Sequence, residues 1–289
     1  MTTILEVQNI CKQYNGKKIL ENVSFSIASN QIIALVGKNG SGKSTLLKII
    51  AAFIKPDSGS IVKLKTSLKV GYVPEITPTH ILFTPQEYLY HMGCIRGMAK
   101  KQLLQKIEEL LEMFQLKEEK DTRIVHFSKG MKQKVMIMQA MLEETDLLIM
   151  DEPLSGLDAK AQNDFEQILA RVRSKGLSIL LTCHETKLLE NLVDSVLLIQ
   201  ENTIIQIEDF DRNPTHRLIF EIASLSLLDE IIPSIEIQQQ LLVNGHYEIV
   251  TIVPAKDSDQ ILLKLLQQNA SIKYLATVHY KKEQFSSHF

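Results

Sequence analysis

Short, unbroken apolar runs alternate with helical stripes along most of this chain. Ile32 to Val36, Leu147 to Met150 and Ile179 to Leu181 contain no charged residue and read as buried strands. After the first of them, Leu46, Leu47, Ile49 and Ile50 begin a helical stripe. Two further β-like stretches, Ile4 to Val7 and Val23 to Ile27, flank the turn signal Tyr14-Asn15-Gly16. Thr84-Pro85-Gln86-Glu87 reads as a capping box with proline at the first helical position, and opens a helix to about Met98. A second helix runs from about Lys101 to Phe114, with apolar Leu103, Leu104, Ile107, Leu110 and Leu111. A third carries Met131, Val135, Met138 and Leu142 at spacings of four, three and four, a stripe for core packing rather than a ligand.

Past Ile207 the pattern changes. Asp209, Asp211, Asn213 and Pro214 form a polar linker. Beyond it, Arg217 to Ile222 reads as a strand and Leu225 to Ile231 as a short helix. Ile235 to Val243 and Tyr247 to Val253 form a hairpin around Asn244-Gly245. Asp257 to Gln268 is helical, and Ile272 to Val278 is a final strand. The order β-α-β-β-α-β predicts a small ferredoxin-like α+β domain without a catalytic constellation. It reads as a dimer-packing or docking module.

The candidate chemistry is concentrated before that point. Gly37-Lys38-Asn39-Gly40-Ser41-Gly42-Lys43-Ser44-Thr45 fits the pattern G-x-x-x-x-G-K-[ST] between a buried strand and a helical stripe. Glycines there let successive N–H groups converge on an anion, and the helix start adds its positive dipole end. Lys43 can reach the β- and γ-phosphates, and the Ser44 hydroxyl can ligate Mg²⁺. The strand Leu147 to Met150 ends in Asp151-Glu152-Pro153. Two carboxylates at a buried strand end are costly unless they meet a cation or a proton. Beside a phosphate loop, Asp151 would hold Mg²⁺ and Glu152 would point at the water that attacks the γ-phosphate.

Four further segments complete a recognisable series. They are Phe127-Ser128-Lys129-Gly130-Met131, Ser155-Gly156-Leu157-Asp158, Thr182-Cys183-His184-Glu185 and Val70-Gly71-Tyr72-Val73-Pro74-Glu75. With the phosphate loop and Asp151-Glu152, this order resembles the ATP-binding cassette (ABC) family, in the branch that powers drug, antibiotic and peptide exporters. The resemblance implies an α/β P-loop NTPase core over residues 1–208, with a helical subdomain at about 76–140, and an accessory domain at 211–289. It implies an ATP hydrolase that uses ATP and Mg²⁺. Ser128, Lys129, Gly130 and Met131 would form the signature loop that meets the γ-phosphate held by a second cassette. Ser128 and Gly130 match the family form LSGGQ, while Phe127, Lys129 and Met131 depart from it. Ser155 to Asp158 would be the loop linking two active sites across a dimer, and His184 the histidine that contacts the γ-phosphate. Tyr14 stands where the family places an aromatic residue on adenine. Glu75 occupies the place of a glutamine that senses Mg²⁺ and the membrane partner. A carboxylate there can accept from a metal-bound water.

Composition narrows the partners. A chain of 289 residues with 45% hydrophobic content holds one domain of about 200 residues and a smaller one. A net charge of −2, from 32 basic and 34 acidic residues, gives no general attraction to nucleic acid. Cys11, Cys94 and Cys183 lack the spacing of a metal or disulfide framework. Residues 1–10 contain Glu6 and Asn9 and lack a basic start, so they do not read as a secretory signal. No apolar run approaches the roughly 20 residues of a membrane span. The expectation is a cytoplasmic subunit, peripheral on the membrane face, that pairs with a second cassette (identical or different) and with an integral membrane transporter subunit. The alternative is a soluble ABC ATPase switch acting on nucleic acid or ribosomes. Such relatives usually carry two cassettes, a long coiled-coil insert or zinc cysteines, which this chain lacks.

Overall fold

The computed structural model describes residues 2–183, 192–208, 215–224, 237–243 and 246–278. The chain divides into two compact units, Met1–Phe210 and Asp211–Phe289.

The first unit contains two sheets. Strands β1 (Thr3–Tyr14), β2 (Lys17–Ala28) and β4 (Ser58–Lys63) form an antiparallel sheet in the order β2-β1-β4. Both β1 and β2 are longer than their apolar stretches suggest. Register shifts interrupt their pairing, and Asn9 and Asn22 sit in the left-handed region at φ 51°. These irregularities break the alternation that the sequence would otherwise display.

The second sheet is built from β3 (Ile32–Val36), β5 (Val70–Val73), β6 (Leu147–Met150), β7 (Ser178–Thr182), β8 (Ser195–Gln200) and β9 (Thr203–Glu208). Its order is β5-β6-β7-β3-β8-β9. Every neighbour pair is parallel except β8 with β9. All residues of β3, β6 and β7 are buried. Strands covered on both faces have no polar side, which is why their sequences are unbroken apolar runs. One core cluster joins Leu5, Ile10 and Ile27 of the antiparallel sheet to Ile33, Leu35 and Ile149 of the parallel one. Helix α1 (Lys43–Ile50) contributes Leu46, Leu47, Ile49 and Ile50 to the same cluster.

Helices α2 (Pro85–Ile95) and α3 (Lys100–Met113) follow β5. The capping box at α2 forms: Thr84 Oγ1 accepts from Glu87 N at 3.2 Å, and Glu87 Oε2 accepts from Thr84 N at 2.9 Å. Gly93 of α2 lies against Leu103 of α3, where any Cβ would collide with the leucine. On α3, Leu104 departs from the expected apolar face and is 40% exposed. Helix α4 (Lys129–Ala140) buries Val135 and Met138 as expected, while Met131 is only half-buried. The Tyr88 hydroxyl donates to Gln139 Oε1 at 2.6 Å and ties α2 to α4. Helix α5 (Ala159–Ser174) precedes β7.

The second unit is an antiparallel sheet of β10 (Thr215–Ile222), β11 (Ile237–Val243), β12 (His246–Pro254) and β13 (Ser271–Val278), in the order β11-β12-β10-β13. Helix α6 (Ala255–Gln267) joins β12 to β13. Leu218, Phe220, Ile222, Ile249, Val253, Ile261 and Leu265 form its separate core. Strand β12 lies between β10 and β11, an order compatible with a split β-α-β plan. The expected linker, the Leu225 to Ile231 helix and the Asn244-Gly245 turn lie outside the described residues.

Candidate nucleotide site

The phosphate loop leaves the buried end of β3 and turns into α1 through glycine. Gly42 caps α1 at φ 105°, a backbone that L-residues rarely adopt. A Cβ on Gly37 would stand 2.9 Å from the carbonyl oxygen of Ile199, so β8 also demands glycine there. Lys38, Asn39 and Gly40 are exposed, Ser41, Ser44 and Thr45 half-buried. The Ser41 hydroxyl is buried with no partner among the described residues. A buried donor without an acceptor costs about 1–3 kcal/mol, and an anion in the loop removes that cost.

Lys43 is 6% exposed. Its ammonium donates to the carbonyls of Gly37 at 2.7 Å and Lys38 at 3.3 Å, which holds it inside the loop. Burial pushes its pKa down, while the carboxylates of Glu152, Asp151 and Glu75 act to raise it. Acids from two separate motifs, Asp151-Glu152 and Glu75, thus act on one lysine. They arrive from the ends of β5 and β6, two parallel neighbours, and open sheets place ligands at the carboxyl ends of their strands.

Asp151 is 3% exposed at the tip of β6. Its Oδ1 accepts from the Thr182 hydroxyl at 3.1 Å, and that hydroxyl accepts from Glu152 N. Thr182 therefore fixes both acidic residues from the end of β7. The polar residue that closes an otherwise apolar run was the sequence signal for this role. Glu152 adopts φ 44°, an unusual backbone for a non-glycine residue and one that clusters at functional sites. Exposed Glu75 lies beyond β5. Ser44, Asp151 and Glu75 offer hard oxygen donors suited to Mg²⁺. His184 lies outside the described residues, and its neighbour Cys183 is buried.

Tyr72, on β5 beside these acids, was not distinguished by sequence alone. Its hydroxyl is buried and lacks a hydrogen-bond partner among the described residues. Burial first, then the charge of Asp151 and the approach of the hydroxyl to that carboxylate, then Glu75, push its pKa up to about 12.

Tyr14 ends β1 with its ring 44% exposed. Lys12 stands 5.5 Å from the ring centroid. That ammonium is itself tied to Asp57 Oδ1 at 2.7 Å and to the Lys55 carbonyl at 3.0 Å.

A second group forms around the start of α4. Ser128 is its N-cap, accepting from Met131 N at 3.2 Å. Gly130 lies near Ala161 and Leu157, and the ammonium end of Lys129 lies against Gly156, whose φ is 66°. Asp158 caps α5 by accepting from Ala161 N at 2.8 Å. Ser155 N donates to the Glu152 carbonyl at 3.1 Å, so Ser155 to Asp158 link this group to the acidic cluster.

A glycine loop between a buried parallel strand and a helix, with carboxylates at adjoining strand tips, defines a P-loop nucleoside triphosphatase. The comparisons narrow that class. The family model described as ABC transporter matches residues 20–155. EcsA of Bacillus subtilis (strain 168), an ABC-type transporter ATP-binding protein, is 33% identical over 211 residues, 70% of this chain and 85% of the relative. The linearmycin resistance ATP-binding protein LnrL of the same strain is 30% identical over 213 residues, 71% of this chain and 68% of the relative. A Nod factor export ATP-binding protein I of Paraburkholderia xenovorans (strain LB400) is 28% identical over 290 residues, covering 94% and 92%. A solved ATP-binding subunit of an ABC transporter shares 31% identity at TM-score 0.63, covering 71% of this chain and 90% of that one.

The chain belongs to the ATP-binding subunits of ABC transporters, which hydrolyse ATP and work with membrane transporter subunits. Among its described residues no helix is long and apolar enough to cross a membrane.

Proposed function

We propose that this chain powers export of a drug, antibiotic, peptide or similar amphipathic substrate through a separate membrane subunit, from the cytoplasmic face. The observation that carries ATP turnover in this reading is Lys43 held inside the phosphate loop, with the buried Asp151 beside Glu152 at the tip of β6. Its similarity to linearmycin resistance and Nod factor export ATP-binding proteins supports the direction of transport.

ATP lies with its phosphates in the loop Gly37 to Thr45 and its adenine on Tyr14. Ser44, Asp151 and Glu75 hold Mg²⁺, the last through water. Bound there, the ion supplies positive charge against the β- and γ-phosphates. Lys43 trades its two carbonyl partners for phosphate oxygens. Glu152 orients and deprotonates the attacking water, and His184 contacts the γ-phosphate.

The signature loop meets the nucleotide of a second cassette. Ser128, the backbone N–H groups from Lys129 to Met131, and the Lys129 charge face its γ-phosphate at the start of α4. Ser155, Gly156, Leu157 and Asp158 connect the two sites. Hydrolysis removes contacts that exist only with ATP, the pair opens, and the membrane subunit is driven. Residues 211–289 form an accessory α+β domain for dimer packing or docking. The relative aligned over 94% of this chain supports its belonging to the working subunit.

Glu152→Gln tests this reading. It keeps size and hydrogen bonding but removes the base, so ATP binding should persist while hydrolysis falls severely. Size-exclusion chromatography with ATP and Mg²⁺ should then show a stable dimer, and Ser128→Arg in the same background should abolish it. A Glu152→Gln chain that stays monomeric at saturating ATP, while the parent hydrolyses, would overturn a homodimeric sandwich. Adding candidate partner cassettes then separates a heterodimer from failure of the model.

A further inference from the structure

Tyr72 occupies an unusual position between the acidic cluster and an open cleft. Its ring makes an edge-on contact with Phe53 at 5.0 Å and 77°. Both rings line a cleft of about 540 Å³, bordered by Gly71, Arg96 and Gln139. Its hydroxyl is buried and approaches the Asp151 carboxylate without completing a well-formed hydrogen bond among the described residues. Asp151 and Glu75 are its charged neighbours.

A buried hydroxyl without a partner is rare and costs free energy, so its retention calls for a physical cause. Its neighbours identify one. Asp151 already accepts from Thr182 at one oxygen. A carboxylate that ligates a metal is in turn held by outer hydrogen bonds, which set its angle and its donor strength. The only group a phenol can offer two carboxylates is a proton to share. With a divalent cation drawing these carboxylates together, a small shift gives the hydroxyl an acceptor, either Asp151 or water on the ion.

We propose that Tyr72 is a positioning residue for the divalent cation: its hydroxyl donates to the metal-bound Asp151 or its water shell, and the Phe53 ring fixes its aim. This rests on the reading of Ser44, Asp151 and Glu75 as the Mg²⁺ site. The feature adds a donor on the side where Glu75 contributes a negative charge. It also means that the floor of the cleft and the metal carboxylate share one rigid side chain.

The test uses the full chain, with ADP present and Mn²⁺ as the probe, counted by electron paramagnetic resonance. Tyr72→Phe keeps the ring and should weaken Mn²⁺ binding by about 10–100-fold, the range for an outer-shell partner. ADP affinity in EDTA should stay within twofold, which a general packing defect would not allow. Phe53→Ala alters an exposed ring, retains the hydroxyl and should weaken Mn²⁺ by a smaller factor of about three. Mn²⁺ affinity within twofold of the parent in Tyr72→Phe overturns the proposal. Should that variant fail to fold, an unchanged affinity in Phe53→Ala does so instead. Asp151→Asn provides the separation: if it too leaves Mn²⁺ affinity unchanged, the metal site itself has been misplaced.

Discussion

The two units bury their strands in opposite ways. In the first, β3, β6 and β7 are covered on both faces, so only their tips remain open. In the second, every strand pair is antiparallel, Phe220 and Ile249 point into the core, and Tyr274 and Leu275 of β13 stay 50% and 40% exposed. A doubly covered sheet leaves strand ends as the places where polar groups can gather, and Lys43, Asp151 and Glu75 lie there. A half-covered sheet offers surface instead. The lesson is that chemistry follows the parallel strand tips, while the second unit is suited to contact.

That contrast can be broken experimentally. Lys43→Ala carries the largest expected effect: hydrolysis should be abolished and ATP affinity reduced, because the ammonium at the centre of the acidic cluster is gone. A phosphate-release assay with near-parental turnover would show that the chemistry lies elsewhere. Phe220→Ala should destabilise the second unit by about 3–5 kcal/mol, the usual cost of truncating a fully buried phenylalanine. Calorimetry should record that loss while ATP affinity holds within twofold. Loss of ATP binding in a protein whose first unit remains folded would mean the second unit completes the site.

Tyr14→Ala should cost about 1–3 kcal/mol of nucleotide affinity, the range for a lost base stack. Titration with a fluorescent ATP analogue will detect it, and an unchanged affinity would remove Tyr14 from the site. The smallest effect is expected from ending the chain after Phe210. Nucleotide affinity of that chain should match the parent within twofold, while pairing or docking weakens.

Much of the first unit could be read from sequence because doubly buried strands leave no polar residue in their runs. Ile32 to Val36 and Leu147 to Met150 were found to the residue. The capping box marked the start of α2 equally well, since both of its hydrogen bonds are local. Long-range facts were hidden. Nothing in the apolar runs says that β3 lies between β7 and β8, because register depends on partners distant in the chain. Strand β4, mostly exposed, gave no alternation to detect. At the site, glycine spacing and strand-end acids disclosed Lys43, Asp151 and Glu152. Tyr72 escaped because a lone hydroxyl within a strand carries no pattern of its own, and Thr182 signals only as the polar end of an apolar run. Their parts arise from neighbours supplied by β6.

The backbone of Glu152 has a consequence for protein engineering. Holding a branched-off side chain in a left-handed conformation costs about 1–2 kcal/mol, a penalty that glycine escapes. Glu152→Gly should therefore raise the melting temperature of the first unit while eliminating hydrolysis. A library of this protein sorted by heat resistance alone would enrich chains that can no longer turn over ATP. Durability and turnover compete at this single position, and any search for a hardier variant must score both.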